Sequence, residues 1–319
     1  MAAWNNPLRL LSPLSEHPTA SPSLSPALSD TSVAFLGASV KLDKIKQDHY
    51  GAWRILSAFF EHLDFAGKCN LTADMEQCNG DDQLVGLSNH LLDAILKPCL
   101  PVNVAGGQSP EPLSTPPSEG AEDAIDAGMS TINASTRAEQ AVLRAECLRR
   151  DGYRCVFTGT WDFNSVDKGM AMPPPDYEAG PVECAHIIPF ALGTFDDGDA
   201  VQTRNKTIIW FSIHRYFPEL KDLIDARSIN QCGNVVTMDL PTHRNFGSYI
   251  VAFQPQGDNK YVATRLVDVN VRTTSKTGSA VFSLASADDQ IPMPNQEFFK
   301  VHFIISRILQ TSDEEEKEA

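Results

Sequence analysis

Residues 182–190 read VECAHIIPF, a short run of β-branched and apolar residues that places His186 inside a predicted strand. A second strand is predicted over residues 234–238, NVVTM, which begin with Asn234. A helix is predicted to start soon afterwards at Pro241, because proline fits the first turn of a helix. We therefore expect a strand, a long connection, a second strand and a helix, in that order.

Further short elements surround this unit. The additional β-prone runs are RCVFTG at 154–159, SYIVAF at 248–253 and KYVATRLVDV at 260–269, the last two separated by hairpin-type turn residues at 257–259. Amphipathic spacing predicts helices over 207–224 and 296–309. Thr136 and Glu139 form a capping-box pattern, which predicts a third helix ending near Arg150. Short strands mixed with helices predict an α+β fold.

The first part of the chain has a different character. Its opening residues are rich in Ser and Pro, a composition typical of disorder, whereas 48–64 and 84–96 have apolar residues at helical spacing. A stretch dense in Pro, Gly and Ser then predicts a flexible linker. The expected organisation is a disordered tail at 1–36, a helical segment at 37–100, a linker at 101–133, a folded α+β domain at 134–310 and an acidic tail at 311–319.

Composition limits the function classes. The formal charge of the 319 residues is −15, so the chain as a whole repels nucleic acid and any DNA contact must be local or bridged by metal. The absence of a long apolar run argues against a membrane protein. Seven cysteines without a CxxC pair do not resemble a disulfide scaffold. We expect an intracellular protein of the nucleus or cytoplasm.

Four motifs in the second half carry a family resemblance: CVFTG at 155–159, CAHIIPF at 184–190, NVVTM at 234–238 and THRNF at 242–246. Together, in this order, they resemble an HNH endonuclease domain, specifically a group common in fungal proteins. The preceding CLRRDGYR, the INxxGN pattern before the second strand and the closing IPMPNQEFFKVHFIISRIL are similar to that group as well. The resemblance covers roughly residues 137–310. It implies a small ββα-metal core, a hairpin and a helix, embedded in additional helices and strands.

The resemblance also implies roles for three residues. His186 would be the general base that activates water, and Asn234 would orient it through an amide oxygen, which adds no charge to repel phosphate. His243, nine residues after Asn234, would bind a divalent metal. Neutral imidazole is plentiful at pH 7, which suits histidine to the base role.

A rival pair with the same spacing is Asn205 and His214. With Asn205 at the start of the second strand, the connection between the two strands would be shorter than with Asn234. However, the apolar residues between 207 and 224 favour one continuous helix, so that Asn205 would not open a strand paired with the first. We therefore favour Asn234 and His243.

The sequence does not identify the second metal ligand. Many HNH domains place a metal-binding residue immediately before the catalytic histidine, where this chain has Ala185. Glu183, Asp239 and Cys184 are the alternatives, although Glu183 is expected on the opposite strand face from His186 and would need a bulge to help.

The expected cofactor is Mg²⁺ or Mn²⁺, with Zn²⁺ and Ni²⁺ as alternatives. Arg149, Arg150 and Arg154 form a small basic cluster that is a candidate for phosphate contact; their other interpretation is a solvated helix end. Cys155, Cys184 and Cys232 lack the short paired spacings of a zinc knuckle, which favours buried free thiols.

These features predict a metal-dependent endonuclease that hydrolyses DNA phosphodiester bonds. The first alternative is a catalytically silent interaction module that keeps the HNH fold but not effective metal binding. A hydrolase acting on RNA or nucleotides is disfavoured, because the sequence offers no aromatic stacking platform. The oligomeric state is left open, and the N-terminal helices are candidates for docking on the core, binding a protein partner or dimerising.

Overall fold

A computed structural model describes residues 24–100, 112–132, 137–267 and 280–314. Its N-terminal part is helical, as the apolar spacing predicts. The helices there are α1 (Leu24–Ile45), α2 (Tyr50–His62), α3 (Phe65–Gln77) and α4 (Asp81–Leu91), followed by a π-helical turn (Leu92–Leu96) and the short α5 (Lys97–Cys99).

The rest of the described chain mixes helices with short strands, which confirms the predicted α+β class. The elements are α6 (Ala121–Met129), α7 (Arg137–Arg150), β1 (Trp161–Asp162), α8 (Phe163–Asp167), β2 (Ala179–Gly180), β3 (Val182–His186), α9 (Ala200–Tyr216), β4 (Val235–Asp239), α10 (Leu240–Gly247), β5 (Val251–Pro255), β6 (Lys260–Arg265), β7 (Val281–Ser283) and α11 (Gln296–Glu314).

The predicted hairpin and helix are β3, β4 and α10. The two strands are antiparallel and in regular register, from Val182 opposite Asp239 to His186 opposite Val235. Asp239 ends β4 and caps α10, because its Oδ1 accepts a hydrogen bond of 2.9 Å from the backbone nitrogen of Thr242. The helix therefore starts directly at the end of the hairpin and packs against both strands.

Two other small sheets accompany the hairpin among the described residues. β1 and β2 form a parallel pair, and β5, β6 and β7 form an antiparallel sheet. The turn between β5 and β6 contains Gly257, Asp258 and Asn259, all at positive φ, which confirms the predicted hairpin turn.

One hydrophobic core joins the N-terminal helices to the hairpin domain. α2 packs on α11, and α3 and α6 pack on α9. At the contact of α3 with α9, Asp74 accepts hydrogen bonds of 2.7 and 2.6 Å from the Arg215 guanidinium, and both side chains are buried. A buried charged pair of this kind requires that the two helices stay together, because separating them costs both groups their partner.

Two of the expected segment boundaries are corrected. α1 starts at Leu24, so residues 24–36 are helical, whereas the composition predicts a disordered tail up to residue 36; residues 1–23 lie outside the described part. The apolar face of α1 formed by Ala38, Leu42 and Ile45 is buried, and this face holds the helix on the core. Part of the expected linker is also folded: α6 buries Ala121, Ala124 and Ile125.

Three local predictions differ from the structure. The run at 154–159 forms a turn with a single bridge between Arg154 and Trp161, because Gly159 at φ 77° turns the chain back. The helix expected over 207–224 is α9, which begins earlier because Asp199 caps it and ends before Pro218. α11 extends into the expected acidic tail as far as Glu314. Thr136 of the capping box lies outside the described residues, although α7 ends at Arg150 as expected.

In the part of the chain that the structure describes, no helix has both the length and the apolar character needed to cross a bilayer.

Candidate active site

His186 occupies the last position of β3, where the strand leaves the hairpin. Its side chain is half-buried, and its ring lies 5.3 Å from that of Phe190. The end of the strand fixes the direction of the imidazole, and the side chain keeps part of its surface exposed to solvent. This placement suits a group that must meet a reactant.

The ring of His186 is held by Asn230, a residue for which the sequence predicts no role. Nε2 of His186 lies 3.0 Å from Oδ1 of Asn230. The Nδ2 group of Asn230 donates to Oε2 of Glu139 at 3.3 Å, and because a carboxylate only accepts, this bond fixes which way the Asn230 amide faces. Oδ1 therefore accepts from His186, so Nε2 carries the proton and Nδ1 keeps the lone pair.

The surroundings of His186 favour the neutral imidazole. Burial lowers its pKa from the ordinary value of 6.5, and a positive charge on nearby His243 lowers this pKa further, while the hydrogen bond to Asn230 acts in the opposite direction. The net shift of the pKa is downward, so the ring is neutral at pH 7 and its lone pair is available to accept a proton.

The sequence predicts that Asn234 bonds to the His186 ring, but the structure places its amide elsewhere. It is fully buried, and its amide donates to the carbonyls of Ile188 at 2.9 Å and Ile229 at 3.1 Å and accepts from the Ile188 nitrogen at 2.8 Å. The expected amide-to-imidazole bond is thus corrected: Asn234 fastens the backbone that follows His186 to the segment before β4. Its influence on His186 runs through the main chain.

His243 lies on α10 and pairs with Glu183 of β3. Nδ1 of His243 is 2.7 Å from Oε2 of Glu183, and the two side chains are 33% and 47% exposed. Strand alternation predicts Glu183 on the face opposite His186, where it would need a bulge to help bind a metal, but the β3–β4 register is regular. No bulge is needed, because α10 packs on the strand and brings His243 to Glu183.

The other two alternatives for a second metal ligand are engaged elsewhere. Oδ1 of Asp239 caps α10, and its Oδ2 accepts from the hydroxyl groups of Thr158 and Thr160. Cys184 faces α7, where its Sγ lies 4.0 Å from the carbonyl oxygen of Arg144. Ala185 is fully buried. Within the described ranges, no group of three or more His, Cys, Asp or Glu side chains is placed to hold a metal ion.

The rival pair lies on α9, and the two residues have local roles. Oδ1 of Asn205 accepts from the backbone nitrogen of Leu113 at 2.8 Å. His214 is buried, with Nε2 2.9 Å from the carbonyl of Ile224. Because α9 is a continuous helix, Asn205 opens no strand opposite His186.

The three arginines of the basic cluster have different environments. Arg150 is fully buried and binds both oxygens of Asp151, at 2.6 and 2.9 Å, together with three backbone carbonyls, so its assignment as a phosphate contact is corrected. Arg149 is 52% exposed and pairs with Asp288 at 2.8 Å. Arg154 is half-buried, with its guanidinium 5.4 Å from the Trp161 ring centre.

The structure thus adds Asn230 and Glu139 to the candidate site, together with the contact that Glu183 makes to His243. The INxxGN pattern at 229–234 contains Asn230 four residues before Asn234, and this second asparagine was the one available signal. No sequence spacing links Glu139 to Asn230, because their contact depends on how α7 packs against the hairpin.

Comparison with known families gives a partial match. Residues 155–254 match the family described as HNH endonuclease, a region that contains the hairpin, α10, His186, Asn234 and His243. The N-terminal helices and α11 lie outside the match. Searches of curated proteins and of solved structures found no match. The matched region supports an HNH endonuclease domain within this chain.

Proposed function

We propose that this protein is a metal-dependent endonuclease that hydrolyses DNA phosphodiester bonds with His186 as general base. The observation that carries the proposal is the oriented His186 imidazole, with His243 near enough to influence its pKa, inside the region matching an HNH endonuclease. The matched domain suggests a nuclease, while the base, the metal and the DNA substrate are our inference.

His186 supplies what the base step needs. With Nε2 donating to Asn230, the lone pair on Nδ1 is free to take a proton from water, and the lowered pKa keeps that lone pair available at pH 7. Asn230 and Glu139 act as positioning residues, since they hold the ring without touching a reactant. Asn234 supports the position of His186 indirectly, because its side chain holds the backbone of Ile188, two residues further along the chain.

The residues beside His186 fit a hydrated divalent ion. Both side chains are partly exposed: Glu183 offers a carboxylate, the donor type that suits Mg²⁺ or Mn²⁺, and His243 offers an imidazole, which also suits Zn²⁺ or Ni²⁺. Mg²⁺ usually keeps several waters and uses few protein ligands, so two protein groups and the phosphate of the substrate form a sufficient set. A bound ion neutralises negative charge that develops on the scissile phosphate. Zn²⁺ and Ni²⁺ are the alternatives, because both accept imidazole.

DNA contact must be local in a chain of formal charge −15. Arg149, with its exposed guanidinium, and Arg154 beside Trp161 remain candidates to position a phosphate. All seven cysteines are free, which supports a reducing compartment, nucleus or cytoplasm. The resemblance of AHIIPF to a fungal group supports a fungal origin for this domain type.

The decisive experiment is nicking of supercoiled plasmid by the purified full chain in Mg²⁺, Mn²⁺, Ni²⁺ or EDTA at low salt. We expect metal-dependent nicking that is lost in both His186→Ala and His243→Ala. In His186→Ala, which lacks the proposed base, the nicking rate should fall by about 10²-fold or more. His49→Ala, a histidine outside the matched region, serves as the control and should keep full activity. Full activity in His186→Ala would refute the assignment of the base, and retention in His243→Ala would refute the metal site.

The second candidate function is a catalytically silent interaction module. The observation that favours it is the fully buried Ala185 directly before His186, together with a donor pair, Glu183 and His243, that no third metal-binding side chain joins among the described residues. Calorimetric titration with Mn²⁺ separates the two: binding that is lost in His243→Ala supports the nuclease, whereas folded protein that neither binds the metal nor nicks DNA supports the module.

A further inference from the structure

A cleft of about 580 Å³ lies between the N-terminal helical part and α9, and we call it the α9 cleft. Most of its lining outside α9 comes from residues 93–98 and 112–114. Four lining residues share one face of α9, because they are spaced three or four positions apart: Gln202, Asn205, Lys206 and Ile209. Small-molecule sites commonly have volumes of about 300 to 1,000 Å³, so the cleft is large enough for an organic ligand.

The two amide side chains of the cleft are engaged by the protein itself. Oδ1 of Asn205 accepts from the backbone nitrogen of Leu113 at 2.8 Å, which holds the segment containing Leu113 against α9. Gln202 donates to Asp199 at 3.1 Å and accepts from the Asp196 nitrogen at 3.0 Å. These contacts shape the cleft, so the selection of a ligand depends mainly on its charged groups and its apolar walls.

Three charged side chains line the cleft: Asp93, Lys97 and Lys206. Lys97 and Asp93 pair with each other at 2.6 Å, so together they add no net charge. Lys206 is half-buried, and its Nζ donates to the carbonyl oxygen of Ala191 at 2.5 Å. No carboxylate in the described part of the chain pairs with Lys206. The described lining therefore has one uncompensated positive charge.

Lys206 is cationic at neutral pH and has donors available for a ligand. Burial lowers its pKa to about 8, while Cys99 acts in the opposite direction, so the ammonium form predominates at pH 7. An ammonium group has three N–H donors, and Ala191 accepts from one of them. Because water screens a partly desolvated cation less than a surface lysine, an anionic partner in the cleft gains more from the contact.

The other walls of the cleft are largely apolar. Phe195 and Leu113 are half-buried, Ile209 is buried, and Pro98 and Pro112 complete these walls. An apolar group packed on these side chains would be removed from water, which favours binding. The cleft therefore combines a single cation with apolar surfaces, the arrangement typical of sites for small amphipathic ligands.

We propose that the α9 cleft binds a small organic monocarboxylate with an apolar body. Its carboxylate accepts from Lys206, and its body packs against Phe195, Leu113 and Ile209. One negative charge on the ligand matches the one uncompensated lysine. The cleft shares no residue with the candidate active site, so the proposal does not depend on the nuclease activity.

A phosphate ester fits this cleft less well. Phosphate has up to two negative charges and is usually bound by arginine or by several backbone N–H groups at the start of a helix. At the start of α9 these groups are occupied, because the nitrogens of Val201 and Gln202 donate to Asp199. Lys206 alone would leave the second charge of a phosphate without a partner.

The experiment is calorimetric titration of the full chain with 2-naphthoate in EDTA at pH 7, with 2-naphthylmethanol and 2-naphthyl phosphate as matched ligands. We expect saturable binding of one naphthoate. The neutral alcohol should bind about tenfold more weakly, because it forms no hydrogen bond between two charged groups. Absence of naphthoate binding, equal affinities for the carboxylate and the alcohol, or tighter binding of the phosphate would overturn the proposal.

Two lysine variants locate the binding. Lys206→Met keeps a side chain of similar length without the charge, so the affinity for naphthoate should fall by about tenfold or more. Lys68→Met is the matched control, since Lys68 is also half-buried but lies on α3 outside the cleft, and it should bind as the wild type does. Circular dichroism checks that both variants are folded, and the three ligands test the charge requirement on the wild-type chain. Unchanged affinity in Lys206→Met would refute the site.

Glu111 is tested as a competitor from the chain itself. It directly precedes Pro112 of the cleft and lies outside the described residues. Glu111→Gln should leave the affinity for naphthoate unchanged. If the affinity instead rises by about tenfold, the carboxylate that Lys206 binds belongs to this chain, and the proposal of a separate ligand is wrong.

Discussion

Nε2 of His186 lies 3.0 Å from Oδ1 of Asn230, and the same Asn230 amide donates to Glu139 on α7. This chain of contacts crosses from the hairpin to a helix that precedes it in sequence. It fixes both the tautomer of the imidazole and the plane of its ring. The candidate base is therefore positioned by residues that the strand itself does not contain.

Asn230 should control the protonation of His186. Asn230→Asp places a carboxylate on Nε2 and should raise the pKa of His186, so that the acid limb of the pH–activity profile moves to higher pH. Asn230→Ala removes the contact that raises this pKa, and the limb should move the other way. An NMR titration of the His186 ring measures both shifts. Asn164→Ala, an exposed position on α8, is the control, and equal midpoints in all variants would contradict the role.

The wild-type pH profile follows from the direction of the His186 shift. Because its pKa lies below the ordinary 6.5, the imidazole is neutral and active at pH 7, and nicking should fall only as the pH drops through the lowered pKa. The measurement is the initial nicking rate between pH 5 and pH 8 at saturating metal. An acid-limb midpoint above pH 6.5 would contradict the expectation that burial is the largest influence on the pKa of His186.

Glu183 should contribute to metal binding. Glu183→Gln keeps the size of the side chain but removes the charge that pairs with His243, so the dissociation constant for Mn²⁺ should rise by about 10- to 100-fold. Glu178→Gln, a nearby exposed carboxylate ahead of β2, is the matched control and should bind as the wild type does. Calorimetry with Mn²⁺ makes the comparison, and equal affinities for the two variants would remove Glu183 from the site.

Arg150 and Arg149 should respond differently to the same substitution. Arg150→Gln removes the guanidinium that pairs with the buried Asp151 carboxylate, which keeps only the hydrogen bonds from Thr237, so the free energy of unfolding should fall by roughly 3 to 5 kcal/mol. Arg149→Gln removes only an exposed ion pair and should cost about 1 kcal/mol or less. Urea denaturation of the two variants measures the difference. A small loss for Arg150 would mean that its buried contacts are replaced by water.

Local pattern in the sequence determined the secondary elements that carry the site. The alternation and β-branching at 182–190 and 234–238 specify β3 and β4, and Pro241 with the Asp239 cap specifies the start of α10. These signals are short in range, so a single sequence contains them. The HNH resemblance depends on the same motifs, and for that reason the hairpin and helix were predictable.

The contacts within the site were decided by tertiary packing. His186 and Asn230 are 44 residues apart, Glu183 and His243 are 60 apart, and Asn230 and Glu139 are 91 apart. The strand period of 2 residues and the helix period of 3.6 residues predict only which neighbours along one element share a face, so they give no information about contacts between residues this far apart in sequence. The position of α7 and α10 against the hairpin brings each pair together, and burial of Arg150 follows from the same packing. The sequence alone determined which residue types are available, and only the folded core decided which of them meet.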